Sequence, residues 1–165
     1  MISHSRSHIA VLAMLVAAGC TEPRPAEQPV APAPPYEARL DLSDVAPRAG
    51  AEIVVSVRLR GTSAAQAASF TERVTYDSAG LRYLGDVALS DGAARVTNAA
   101  PGLIRSAGVR AEGFVDGTLI AYRFSVVDPG AVARIRLTVD ELHSTARGDA
   151  TSLLRVVPAP VVRAP

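Results

Sequence analysis

Between residues 36 and 157 the chain alternates apolar and polar side chains with a period of two. In residues 52–60, EIVVSVRLR, Ile53, Val55, Val57 and Leu59 fall on one side, and Glu52, Ser56, Arg58 and Arg60 on the other. Successive side chains of a strand point to opposite faces, so this is a strand with one face buried. Residues 118–127 repeat the design with Ile120, Tyr122, Phe124 and Val126 inward and Arg123 and Ser125 outward. Residues 134–141 set Ile135, Leu137 and Val139 against Arg134, Arg136, Thr138 and Asp140. In 70–76, Phe70, Val74 and Tyr76 share a face that Glu72 interrupts, and Leu81, Tyr83, Val87 and Leu89 line 81–89. Shorter runs lie at 37–42, 102–109 and 151–157.

Turn residues separate these runs: 47–50 (PRAG), 90–92 (SDG), 101–102 (PG), 116–117 (DG), 128–130 (DPG) and 147–149 (RGD). The 77–80 corner, DSAG, ends in Gly80, which tolerates the positive φ that such corners often need. The alanine-rich 64–68 is long enough for one helical turn and too short to be an element of its own. No helical period runs through 36–157. The expected fold is all-β: a two-sheet antiparallel sandwich of about nine strands over residues 36–158, followed by a Pro-rich tail at 159–165.

The first 35 residues follow another pattern. Arg6 and the amino terminus precede an apolar stretch from Ile9 to Ala18, too short for the ~20 residues of a membrane span, and small residues follow. This is the layout of a signal peptide over 1–19. The sequence Val16-Ala17-Ala18-Gly19-Cys20 resembles a bacterial lipobox, and Cys20, the one cysteine of the chain, is the expected lipidation site. A lone cysteine in an exported protein has no internal disulfide partner, and acylation removes the reactive thiol. Residues 20–35, CTEPRPAEQPVAPAPP, form a Pro-rich tether with a bias to extended polyproline II. Thr21 stands where an aspartate would retain a lipoprotein at the inner membrane, so the expectation is an exported protein, lipid-anchored in the cell membrane or outer membrane.

Charge narrows the function. All 17 basic residues are arginine, they nearly balance 16 acids, and they are scattered, so no basic face for nucleic acid is read. The G-x-S-x-G, H-E-x-x-H and Cys-x-x-Cys patterns are absent from the sequence, and His143, the one histidine beyond the signal peptide, has no base-and-orienter pair around it. Asp140 and Glu141 are adjacent on a strand and are expected to face opposite sides, which would keep them from sharing a substrate. Asp77, Asp140 and Asp149 lack the spacing of a calcium loop. The reading is of a non-catalytic module with neither cofactor nor metal.

Five segments carry a family resemblance. AGAEIVVSVRLRG, FTERVTYDSAGLRYLGDV, PGLIRSAGV, GTLIAYRFSVV and GAVARIRLTVDELHSTARGD, in that order across most of 37–157, resemble the successive strands of a cohesin domain. The most specific piece is Tyr76-Asp77 followed by Leu81 four residues after the aspartate. The resemblance implies the nine-stranded jelly-roll that cohesins share with several carbohydrate-binding modules. Cohesins of cellulose-degrading complexes bind dockerins, and their strand before the Tyr-Asp corner presents polar side chains, often Asn or Asp, to the partner. Here Ser69, Thr71 and Arg73 hold those outward positions, which points to a cohesin-like module outside a cellulosome.

Two functions are weighed. The first is binding of another envelope or extracellular protein through one sheet face bearing Ser69, Thr71, Arg73, Thr75, Arg123 and Ser125. The second is polysaccharide binding, which needs exposed planar aromatics. The chain has no tryptophan, Tyr76, Tyr83 and Tyr122 occupy apolar-facing positions, and Tyr36 lies at the linker's end. Three tyrosines in a row on an outer face would favour the glycan.

Overall fold

In the computed structural model, the described residues are 35–61, 66–114, 116–146 and 148–158. The eight alternating runs become strands and two more join them, Ala94–Ala100 and, on the expected 147–149 turn, Gly148–Asp149, which makes ten among the described residues: β1 (Tyr36–Leu42), β2 (Glu52–Gly61), β3 (Ala67–Thr75), β4 (Leu81–Asp86), β5 (Ala94–Ala100), β6 (Leu103–Phe114), β7 (Gly117–Val126), β8 (Arg136–Ser144), β9 (Gly148–Asp149) and β10 (Leu154–Val157). One sheet has the order β10-β1-β2-β7-β4 and the other β5-β6-β3-β8-β9. The chain passes from sheet to sheet repeatedly, as a jelly-roll does. All pairings are antiparallel except that of β1 with β10, which run parallel and bring the two ends of the domain together.

The apolar faces meet between the sheets. Leu40, Ile53, Val55, Val57, Leu81, Tyr122 and Phe124 come from the first sheet, and Phe70, Val74, Ile104 and Leu142 from the second. Phe124 is the aromatic hinge of one end, with Tyr76 and Tyr83 edge-on to it at centroid distances of 5.1 and 5.8 Å. Such T-shaped contacts suit the ring quadrupole.

Several expectations are corrected. β5 was not foreseen, because its pattern is inverted: Val96 is exposed, while Arg95 turns inward. There Arg95 bonds both oxygens of Asp91 (2.7 and 2.5 Å) and lies 5.7 Å from the Phe114 ring centroid. The hydrogen bonds from Arg95 hold the Asp91 carboxyl well below the usual range. The alanines at 67 and 68 belong to β3 rather than to a helical turn. Tyr36 is a buried core residue, not merely the linker's end.

The corner at 77–80 is built as expected from local hydrogen bonds, but Gly80 has a different reason. Leu81 N–H and Gly80 N–H donate to the Asp77 carbonyl at 2.9 and 3.1 Å, and Ala79 N–H to its side chain at 3.0 Å. Gly80 is not among the positive-φ glycines. A Cβ there would sit 2.3 Å from Ala131 Cβ, so close approach of the 3₁₀ turn Pro129–Arg134 demands glycine. Arg134 from that turn clamps Asp77 (2.6 Å) and Asp128 (3.1 Å).

The signal peptide 1–19, Cys20, most of the tether 20–35 and the tail 159–165 lie outside the described residues.

Candidate functional site

On β3 the side chains of Phe70, Glu72 and Val74 point inward, which turns Ser69, Thr71, Arg73 and Thr75 onto the outer face of the second sheet. Cross-strand register fixes their neighbours. Ser69 lies between Val109 and His143, Thr71 between Ala107 and Glu141, Arg73 between Arg105 and Thr138, and Thr75 between Leu103 and Arg136. Beyond β6, Ala94 and Val96 on β5 stand opposite Val109 and Ala107.

Those rows make a shallow, mainly apolar groove of about 360 Å³ over β5, β6, β3 and the end of β8. Its walls include Val96 and Val109, which are 68% and 53% exposed. Such large apolar side chains on an outer sheet face are the less common arrangement, since alternation normally sends them inward. Gly108 roofs the core at this point: a Cβ on it would meet the Phe70 ring at 2.4 Å, so the sheet is thin there and the groove forms over the ring. Ser69, Thr71 and His143 add polar groups to the lining.

Beside the groove, Arg73 is paired with Asp140. Its Nε and a terminal nitrogen reach Asp140 at 2.8–3.0 and 2.6 Å, a bidentate pair. A β-bulge makes the pair possible. The β3–β8 register slips between Thr71/Glu141 and Glu72/Val139, so Asp140 is the extra residue and both Asp140 and Glu141 are exposed. The expectation that these two carboxylates face opposite sides is therefore corrected; strict alternation fails at a bulge. The hydrogen bonds that Arg73 donates to Asp140 raise its guanidinium above the ordinary value.

The six candidate contact residues do not share a face. Ser69, Thr71, Arg73 and Thr75 are together, whereas Arg123 and Ser125 lie on β7, outside the other sheet, in register with Val54 and Glu52 of β2. Alternation separates inward from outward positions and is silent about which sheet a strand joins. Val96, Val109, Ala107 and Glu141 belong to the groove or its margin and were missed. The signal available was Val96, the one large apolar residue of the seven-residue run ARVTNAA between two Gly-containing turns.

The remaining acidic candidates are engaged. Asp77 pairs with Arg134, whose hydrogen bond holds its carboxyl below the usual range, and the Asp149 carboxyl accepts from Thr151 N–H at 2.9 Å and is likewise held low. Among the described residues no group of three His, Cys, Asp or Glu side chains is arranged to hold a metal. Of the tyrosines, Tyr36 and Tyr122 are buried and Tyr76 and Tyr83 half-buried, so none of them stands out on an outer face.

No family model and no curated protein sequence matches the chain. Solved structures do. A type II cohesin from a cohesin–X-dockerin complex of Acetivibrio cellulolyticus superposes with a TM-score of 0.59 at 10% identity, over 76% of this chain and 96% of that one. A non-cellulosomal cohesin from the archaeon Archaeoglobus fulgidus gives 0.58 at 12% identity, over 75% and 87%. The type I cohesin–dockerin complex from Clostridium thermocellum gives 0.58 at 15%, over 76% and 96%. The ten-stranded domain is a cohesin-like β-sandwich: its fold is that of cohesin domains of both types.

Proposed function

We propose that this chain is a non-catalytic protein-interaction module that engages its partner through the outer face of β5, β6, β3 and β8. The observation that carries the reading is the pair of exposed valines, Val96 and Val109, walling a groove on a rigid sheet with Ser69, Thr71 and His143 in the lining and the fixed Arg73–Asp140 pair beside it. Protein interfaces combine an apolar centre with a polar rim and are enriched in arginine. That the neighbouring cohesins include ones in complex with dockerins supports a protein partner. Because Ser69, Thr71 and Arg73 stand at the outward positions of β3, the partner is another envelope or extracellular protein outside a cellulosome. Attachment to the membrane through Cys20, with the 20–35 segment as spacer, belongs to the same proposal and is supported by the apolar stretch and small residues before that cysteine.

The full chain carrying Cys20→Ser serves as bait in envelope extracts, beside sedimentation with cellulose and with peptidoglycan. Val96→Asp with Val109→Asp should abolish capture of a specific protein, while Arg123→Glu with Ser125→Glu should leave it intact. Capture lost only with the second pair would move the site to the other sheet. Sedimentation with a glycan and no specific protein captured would overturn the proposal in favour of polysaccharide binding.

A further inference from the structure

Behind the groove a polar chain crosses the sandwich. Glu72 lies on β3 between Thr71 and Arg73 but points into the core, where it is fully buried. The Tyr122 hydroxyl, reaching from β7 in the opposite sheet, bonds Glu72 Oε1 and lies 2.7 Å from Ser106 Oγ of β6. Ser106 Oγ is in turn 3.0 Å from Thr97 Oγ1 on the edge strand β5. Glu72 Oε2 has no hydrogen-bonding partner. Asp140 on β8 and Asp86 at the end of β4 disfavour a charge on Glu72, while the Tyr122 and Ser106 hydroxyls favour it.

Three hydroxyls supply three hydrogens for the contacts Thr97–Ser106, Ser106–Tyr122 and Tyr122–Glu72. If Glu72 is ionised, all three must donate inward, and Oε2 remains a charged oxygen without a donor in an apolar interior, with Asp86 and Asp140 adding repulsion. If Glu72 is neutral, the charge is gone. With the carboxyl hydrogen on Oε1 the chain reverses, and half-buried Thr97 is left with a hydrogen for solvent. An isolated buried carboxylate is costly, and burial accordingly pushes the Glu72 carboxyl up to about 7 against the lowering effect of the Tyr122 and Ser106 hydroxyls.

We propose that Glu72, Tyr122, Ser106 and Thr97 form a proton-operated latch between the two sheets: the neutral carboxyl ties β3 to β7, and its ionisation, which must draw water to Oε2, loosens β3 and the outer face that β3 carries. The proton equivalent is exchanged with solvent along the hydroxyls to the β5 edge. Because the folded state holds this proton more tightly than the unfolded chain, the latch adds stability that is fully present below the ordinary carboxyl value of 4.5 and is lost as pH rises through about 7.

The test needs no partner. Urea unfolding of the full chain with Cys20→Ser is measured from about pH 5 to about pH 8.5, beside Glu72→Gln, which keeps the shape and cannot ionise. The unfolding constant of the parent should rise about a hundredfold across that range relative to the Glu72→Gln protein, in which every other titrating group is shared. Equal pH dependence in the two proteins overturns the latch. Infrared difference spectroscopy of the parent alone, which stands even if Glu72→Gln does not fold, should show a buried protonated carboxyl at about pH 6 that disappears through about pH 7. A parent with no protonated carboxyl at that pH overturns it as well.

Discussion

Phe124 shows how one side chain carries an end of the core. It is fully buried on β7 and holds Tyr76 and Tyr83 edge-on, so truncation empties the centre of an aromatic cluster rather than a margin. Phe124→Ala should cost about 3–5 kcal/mol, the usual range for deleting a buried aromatic. Against a typical total of about 5–15 kcal/mol, that is a large fraction of the stability, and chemical denaturation reads it directly. An unchanged denaturation midpoint would place the core elsewhere. Phe124 was legible from period two alone. Glu72 was not: in a list of alternating positions it reads as an interruption, and only the tyrosine arriving from the other sheet explains a carboxyl in the interior. A hydrogen bond between residues fifty apart leaves no local trace in sequence.

At the level of elements, the 77–80 corner and the Pro129–Arg134 turn form one unit. Arg134 bridges Asp77 and Asp128, and Gly80 lets the turn press against the corner. Gly80→Ala should therefore destabilise by about 1–3 kcal/mol, the range for overpacking, because two Cβ atoms cannot rotate apart. A neutral or stabilising result in thermal melts would show that the turn yields. Strand existence followed from alternation wherever inward residues were apolar, as in β2 and β7. It failed for β5, where Arg95 fills an inward position through an ion pair and a ring contact. It also failed to group the candidate residues. β3 and β7 both read as apolar inward and polar outward, yet they lie in different sheets, so Arg73 and Arg123 face away from each other. Sheet membership is decided by pairings such as Ser69 with His143, which no local pattern encodes.

For the whole molecule, the order of strand-like segments makes the cohesin-like fold legible in the sequence, since a sandwich of this kind is specified by a succession of elements more than by any one motif. The domain's core and ladders lie between Tyr36 and Val157, so residues 36–158 should fold alone. Far-ultraviolet circular dichroism of that fragment should be strand-dominated with one cooperative transition; substantial helix would contradict the account. At the other end of the chain, cells given a palmitate analogue should label the wild-type protein and not Cys20→Ser, and equal labelling would remove the anchor from the proposal. More than one acyl chain is what converts reversible membrane contact into stable anchoring, so loss of that label should accompany release from the membrane fraction. The central claim is that the groove face of β5, β6, β3 and β8 meets a protein. Its most direct measurement is photocrosslinking in living cells from a benzoylphenylalanine placed at Val96 or at Arg123, side chains exposed on opposite faces of the sandwich. A discrete protein adduct from position 96 and none from position 123 is the expected result. Adducts from position 123 alone, or none from either in cells where the protein is folded and abundant, would contradict it.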